Sequence, residues 1–270
     1  MTHIFDGKKY ALAKEDALRQ KVKNLKKNKV TPWLVSIIVG DNPASILYVN
    51  LKKKAAERVG CKLSVVSCQS SVGVSGVIKK ISDLNKDSRV HGIMVQLPLP
   101  KNFSKEDRDE IIGTISREKD VDGMGEDSLF VTPAVKAIVE ILRAASLYLP
   151  VNRKANVAVL GSEGFVGKKA MKILKDMGYK VEGVDLGTKN MAQKTISSDV
   201  LISATGVSNL IKKNMVKDGA VLIDVGAPKG DIGKNVYGKA VFVSPVPGGV
   251  GPVTIACLIE NLIEASFSSE

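Results

Sequence analysis

Aromatic side chains are scarce in this chain, at 4% of 270 residues with a single tryptophan. Little stacking surface is therefore offered to single-stranded nucleic acid. That scarcity matters because the formal charge is +12, from 40 Lys plus Arg against 28 Asp plus Glu, an excess that would otherwise suggest a polyanionic partner. The densest basic stretch, Lys21 to Lys29, continues a helical pattern in which Leu18, Val22 and Leu25 share one face. It reads as the solvated back of a helix. No nucleic-acid partner is expected, only a general attraction for small anionic substrates. Cysteine is also sparse. Cys61, Cys68 and Cys257 form no CxxC pair and are odd in number, which fits three reduced packing thiols better than a disulfide or zinc framework. No metal site is expected. Apolar runs fall short of the roughly 20 residues that span a bilayer, and the opening MTHIFDGKKY lacks a secretory core. The expectation is a cytoplasmic protein with no membrane partner.

What is present is an alternation of strand-like and helix-like segments, the pattern of an α/β fold with largely parallel sheets. A first amphipathic helix covers about Lys8 to Asn28. The β-branched run Trp33–Val39 ends in Gly40-Asp41-Asn42, a strand entering a turn. A helix then runs from Pro43, in the tolerated first-turn position, to Val59. A strand near Lys62–Ser67, a helix near Val74–Leu84 and a strand His91–Gln96 follow, the last stopped by Leu97-Pro98-Leu99-Pro100. His91 falls at that strand's entrance, a packing position. Ser104–Ile115 reads as helix and Lys119–Gly125 as loop. Thr132-Pro133 reads as an N-cap and first-turn proline, with helical spacing through Val135, Ile138, Val139, Leu142 and Leu149. A domain boundary is placed on that helix. Strands are expected at Asn156–Leu160, Lys180–Val184, Val200–Ala204 and Val221–Val225, and a final helix at Gly251–Phe267.

The strand Asn156–Leu160 leads into Gly161-Ser162-Glu163-Gly164-Phe165-Val166-Gly167 and then a helix. Glycine in such a turn lets backbone approach a pyrophosphate, and the helix N-terminus presents free N–H groups. The spacing is GxxGxxG. By itself it would also fit a βα turn that binds nothing. Two more strands end in small residues, at Ala204-Thr205-Gly206 and Asp224-Val225-Gly226, where ligands of open α/β sheets bind. Together these point to a nucleotide cofactor held by Gly161, Ser162, Glu163, Gly164, Val166, Gly167, Asp185, Thr188, Ala204, Thr205, Gly206 and Gly226.

Four further segments carry a resemblance. They are Val39-Gly40-Asp41-Asn42-Pro43-Ala44-Ser45 continuing to Tyr48 and Lys52; Val95-Gln96-Leu97-Pro98-Leu99-Pro100; Lys119-Asp120-Val121-Asp122-Gly123; and Pro245-Val246-Pro247-Gly248-Gly249-Val250-Gly251-Pro252 with Thr254. In these strings, their order and their spacing, nearly the whole chain resembles the bifunctional methylenetetrahydrofolate dehydrogenase/methenyltetrahydrofolate cyclohydrolase family. The resemblance implies two α/β domains with a cleft between them. A folate-binding catalytic domain would occupy residues 1–130, completed by 246–270, and a Rossmann domain 131–245. It implies oxidation of 5,10-methylenetetrahydrofolate and hydrolysis of the methenyl product to 10-formyltetrahydrofolate, within one-carbon metabolism, by a homodimer. It casts Lys52 as the catalytic lysine, Gln96 as its hydrogen-bond partner, Tyr48 as packing on the pterin and Asp122 as accepting from the pterin's nitrogens. Leu97, Pro98, Asp120 and the wall Pro247, Gly248, Gly249 and Val250 would complete the folate site.

The residues themselves are consistent with this. Tyr48 and Lys52 lie four apart on one helix and so share a side, although a surface lysine would fit that spacing too. Hydride loss from the methylene carbon needs no general base, since the adjacent nitrogen lone pair forms the iminium. Hydrolysis does need proton transfers, which a lysine of lowered pKa near another cation could supply. Lys53 and Lys54 are the cations adjacent in sequence. Alternatives are a monofunctional dehydrogenase, against which Lys52 and Gln96 argue, and a non-catalytic nucleotide-sensing or nucleic-acid-binding protein on the same fold. The chain departs from the family where Ser162-Glu163 replace Arg-Ser, where Asp185-Leu186 replace His-Ser, and where the connector Gly123–Phe130 is short. The resemblance implies NADP. Asp185, with Ser162 in place of the arginine, favours NAD. NADP is the expected cofactor, with NAD left open.

Overall fold

The computed structural model describes residues 1–150 and 154–267. The chain divides into two compact units. One holds Met1–Ala11 and Ala134–Thr254, the other Leu12–Pro133 and Ile255–Glu270, of which residues 268–270 lie outside the described range.

The second of these units is built on a three-stranded parallel sheet. Its strands are β2 (Trp33–Val39), β3 (Lys62–Cys68) and β4 (Gly92–Val95), in the order β3-β2-β4. The alternation of the central strand sets two cores. Leu34 and Ile38 face Leu18, Val22 and Leu25 of α1 (Gly7–Lys27), Val49, Ala56 and Val59 of α2 (Pro43–Val59), and Leu258, Ile259 and Leu262 of α8 (Val250–Phe267). Val35, Ile37 and Val39 face Val77 and Ile81 of α3 (Gly73–Lys86) and Ile111 of α4 (Lys105–Gly113). A strand covered on both faces reads as a continuous apolar run, as WLVSIIV does. Among the described residues α8 alone is long and apolar enough to cross a membrane by length and composition. From Ile255 onward its apolar residues, among them Leu258, Ile259, Leu262 and Ile263, are instead core of this unit.

The other unit is a six-stranded parallel sheet. It contains β1 (His3–Ile4), β5 (Asn156–Leu160), β6 (Lys180–Val184), β7 (Val200–Ser203), β8 (Ala220–Asp224) and β9 (Ala240–Ser244), ordered β1-β9-β8-β7-β5-β6. From β5 the chain goes outward to β6 and then crosses back to β7 on the other side. That reversal defines a topological switch point between β5 and β7, the doubly wound arrangement in which ligands bind beyond the strands' carboxyl ends. The helices of this unit include α5 (Pro133–Ala144), α6 (Phe165–Asp176) and α7 (Met191–Ile196).

Two placements differ from the sequence expectation. The first eleven residues fall with the six-stranded sheet, because His3 and Ile4 pair in parallel with Phe242 and Val243 of β9. Residues 246–254 do so too, since they continue directly from β9, whereas α8 from Ile255 onward joins the three-stranded unit. The helix begun at Pro133 ends at Ala144, short of Leu149, which caps a single 3-10 turn at Ser146–Tyr148.

Candidate active site

Helix α2 begins with Asn42, whose side chain accepts from the N–H groups of Ala44 and Ser45. Pro43 occupies a position where its missing N–H costs nothing. The helix stops at Gly60, which takes the left-handed conformation at φ 93°. Between these caps Ser45, Val49, Lys52, Ala56 and Val59 form one buried stripe at helical spacing. Lys52 is therefore carried into the core by the face on which it sits, and only 7% of it is exposed. Tyr48, one turn earlier, is 37% exposed, and Lys53 and Lys54 point to solvent.

The Lys52 amine reaches Met94 of β4 and Gln96 just beyond that strand. Nζ donates to Gln96 Oε1 at 3.0 Å and lies 3.6 Å from Met94 Sδ. Gln96 follows β4 and donates its backbone N–H to Ile37 O at 2.8 Å. Its Nε2 donates to Leu97 O at 2.7 Å, leaving Oε1 turned toward the lysine. The bond from Leu97 to Pro98 is cis. Burial pushes the Lys52 ammonium below the ordinary lysine range, while the carboxylate of Asp122 pulls it back up. The lowering thus comes from desolvation, not from the adjacent cations Lys53 and Lys54.

Asp120 and Asp122 look alike in sequence, but their surroundings differ. Asp120 is 2% exposed and accepts from the N–H groups of Met124 and Gly125 at 3.3 and 2.8 Å. Its carboxylate organises the loop. Asp122 is half-buried and acts electrostatically on Lys52. The short connector behind it is tightly held. Thr132 Oγ1 donates to Gly123 O at 2.7 Å, and Asn261 Nδ2 donates to Val121 O and Val131 O, both at 2.9 Å. Asn261 sits in an apolar helix and had no motif to mark it. His91 is buried, and its Nδ1 accepts from Trp33 N–H at 3.2 Å, the packing position expected.

In the six-stranded unit the glycine turn lies at the switch point. Gly161 has φ 77°, and a Cβ there would lie 2.5 Å from Ala204 O; one on Gly167 would lie 2.0 Å from Gly161 O. Only glycine allows this packing of β5's turn against the end of β7 and of α6 against the turn. Gly164 is the N-cap of α6, and its N–H donates to Gly161 O at 3.0 Å. Val166 is half-buried in the helix's first turn. After β7, Thr205 is fixed by Asp231, whose Oδ2 accepts from Thr205 N–H and Oγ1 at 2.8 Å and from Ser203 Oγ at 2.7 Å. Gly206 follows in the open. A Cβ on Gly226, after β8, would lie 1.9 Å from Asp231 Oδ1. Burial pushes the Asp224 carboxyl up despite the N–H groups of Gly226, Asp231 and Ile232 that it accepts.

Asp185 follows β6. One carboxylate oxygen accepts from Ser162 Oγ and the other from Glu163 N–H at 3.3 Å, while its own N–H donates to Thr188 Oγ1 at 2.8 Å. The cradle with no room for side chains, the half-exposed helix start and the small residues ending β7 fit a dinucleotide pyrophosphate. Pro247–Val250 join β9 to α8 in this same unit. Gly248 has φ 98°, and a Cβ on Gly249 would lie 2.5 Å from Pro245 O, so that turn too requires its glycines.

The chain matches two family profiles, described as tetrahydrofolate dehydrogenase/cyclohydrolase, catalytic domain, over residues 5–122, and tetrahydrofolate dehydrogenase/cyclohydrolase, NAD(P)-binding domain, over residues 132–269. It is 38% identical over 282 residues to the bifunctional protein FolD of Bacillus pumilus, covering 97% of each chain. The crystal structure of the bifunctional FolD methylenetetrahydrofolate dehydrogenase/cyclohydrolase of Campylobacter jejuni superposes with a TM-score of 0.92, at 32% identity and over 99% of each chain. The Trypanosoma brucei enzyme, solved with NADP and an inhibitor, gives 0.91 at 28% identity over 99% of this chain and 98% of that one.

Proposed function

Since this chain belongs to the tetrahydrofolate dehydrogenase/cyclohydrolase family, we propose that its two activities meet on one small set of side chains centred on Lys52. The chain is an enzyme with methylenetetrahydrofolate dehydrogenase and methenyltetrahydrofolate cyclohydrolase activities, and it has an NAD(P)-binding domain. The dinucleotide supplies a hydride acceptor, and Gly161–Gly167, Ala204, Thr205 and Gly206 would hold it. The first reaction asks little acid–base chemistry of the protein. As hydride leaves the methylene carbon, the neighbouring nitrogen lone pair forms the methenyl iminium. The second reaction adds water to that carbon, breaks one ring C–N bond and moves protons from the water to the departing nitrogen and to solvent.

Lys52 is the group for those proton movements. A buried amine with a lowered pKa can release and recover a proton near neutrality more readily than a surface lysine. Gln96 orients it, Asp122 receives hydrogen bonds from the pterin nitrogens, and Tyr48 packs on the pterin. Leu97 and Pro98, in the same unit as Lys52, line the folate. The observation that carries the reading is the buried Lys52 Nζ held 3.0 Å from Gln96 Oε1. Asp120 enters only through the loop it organises. The working form is a cytoplasmic homodimer, which light scattering on the purified chain tests. Spectrophotometry with 5,10-methylenetetrahydrofolate and, separately, with the methenyl form tests the two activities. Hydride transfer without accelerated methenyl hydrolysis would identify a monofunctional dehydrogenase.

A further inference from the structure

We propose that, of the two nicotinamide dinucleotides, this chain selects NAD, and that Asp185, pinned by Ser162, is the selecting residue. The inference rests on reading residues 161–167 as the dinucleotide turn. Asp185 directly follows β6, about twenty residues beyond that turn, the place at which an acidic side chain of such folds hydrogen-bonds the ribose 2′-hydroxyl. Its carboxylate is fixed there. It accepts from the Ser162 hydroxyl and from the Glu163 N–H. Ser162 reaches it because residue 183 is glycine: a Cβ on Gly183 would lie 2.7 Å from Ser162 Oγ and 2.8 Å from Ser162 Cβ. Behind it, Thr188 N–H donates to Asp185 O at 2.8 Å while Asp185 N–H donates to Thr188 Oγ1, closing the turn on itself. Gly183, Ser162, Asp185 and Thr188 thus form a built unit.

An ionised carboxylate only accepts hydrogen bonds. A ribose 2′-hydroxyl can donate to its remaining lone pairs. A 2′-phosphate brings further acceptor oxygens and charge of the same sign. The neighbouring cations do not offset this. Lys168 Nζ pairs with Glu163 Oε2 at 3.1 Å, and Lys169 Nζ lies over the Phe165 ring, 4.4 Å from its centroid. Glu163 itself adds a second negative charge beside the turn. Lys189, exposed one residue past Thr188, is the cation a test has to exclude. NADP is what the family resemblance alone implies; the local chemistry points to the other dinucleotide.

Isothermal calorimetry of NAD and NADP against the full chain, at low and at physiological salt, decides the matter. NAD is expected to bind at least about tenfold more tightly, equivalent to about 1.4 kcal/mol. Asp185→Asn should bring the two affinities close together, weakening NAD and strengthening NADP, and Lys189→Ala should leave their ratio unchanged. Wild-type protein that binds NADP as tightly as NAD, or more tightly, overturns the proposal without recourse to any variant. A collapse of NADP affinity in Lys189→Ala would reveal a phosphate anchor and also count against it. Binding of neither dinucleotide would instead overturn the underlying reading of the glycine turn.

Discussion

Lys52 Nζ donates to Gln96 Oε1 at 3.0 Å, joining the buried stripe of α2 to the residue that closes β4. Each partner is positioned by backbone structure rather than by loops. The lysine is aimed by its helical phase between Val49 and Ala56, and the glutamine oxygen by the bond from its own amide to Leu97 O. A buried amine without such an acceptor would carry a larger desolvation cost. The pair is thus a polar insertion into an apolar core, a kind of local inconsistency that marks function more often than packing.

Replacing Lys52 by Met should abolish methenyl hydrolysis while appreciable hydride transfer or folate binding remains. Methionine keeps the length and apolar contacts of the stem, and Met94 already lies beside it, so the fold should tolerate the change. Separate assays of the two half-reactions check it. Undiminished cyclohydrolase turnover in Lys52→Met would remove the lysine from the mechanism.

Helix α2 was legible because Asn42-Pro43 and the stripe from Ser45 to Val59 are local signals, and the strand WLVSIIV was legible from β-branching. What lay beyond sequence was contact between distant segments. The strand His3–Ile4 is two exposed residues whose pairing with β9 no periodicity announces. Segment Ala240–Ser244 has the apolar character of a strand, but its pairing with β8 and β1 is a contact between distant segments. Asp120 and Asp122 sit alike around Val121, and only the N–H groups of Met124 and Gly125 separate a loop organiser from the residue acting on Lys52. The Ser162 contact with Asp185 depends on the missing side chain of Gly183, a relation between adjacent strands.

Asp122→Ala should weaken folate binding far more than dinucleotide binding. A charge-assisted hydrogen bond lost from a desolvated site costs about 1.5–3 kcal/mol, roughly tenfold to a hundredfold in affinity. Calorimetry with each ligand measures both. Unchanged folate affinity would eliminate the pterin contact.

Gly167→Ala should cripple the dinucleotide turn selectively. The added Cβ would lie 2.0 Å from Gly161 O and 2.8 Å from Gly161 C, both backbone atoms that cannot swing away. Overpacking of this kind costs about 1–3 kcal/mol, and the turn that must move is the one proposed to hold the pyrophosphate. A loss of at least about tenfold in dinucleotide affinity is expected, with folate affinity preserved because Tyr48, Lys52 and Asp122 belong to the other unit. Dinucleotide affinity equal to wild type would dissociate the glycine turn from cofactor binding.

The pH dependence of hydrolysis tests the cause of the Lys52 shift. Burial holds the amine below its ordinary value of 10.5, and Asp122 acts in the opposite direction. With the neutral amine as base, kcat/KM for methenyl hydrolysis should rise with pH, with a midpoint below 10.5, after subtraction of the uncatalysed reaction. Asp122→Asn removes the charge that favours the ammonium, so the midpoint should move to lower pH even if the rate falls. The same lowering has a stability consequence. Between the folded and unfolded values the unfolded chain binds more protons, so stability rises with pH across that window. The penalty for burying the charged amine is fully present below the folded value and gone above 10.5. Lys52→Met, which buries no charge, should lack this rise in denaturant titrations carried through the alkaline range. A midpoint that moves upward in Asp122→Asn, or an alkaline stability profile identical in wild type and Lys52→Met, would contradict the assignment of the shift to burial opposed by Asp122.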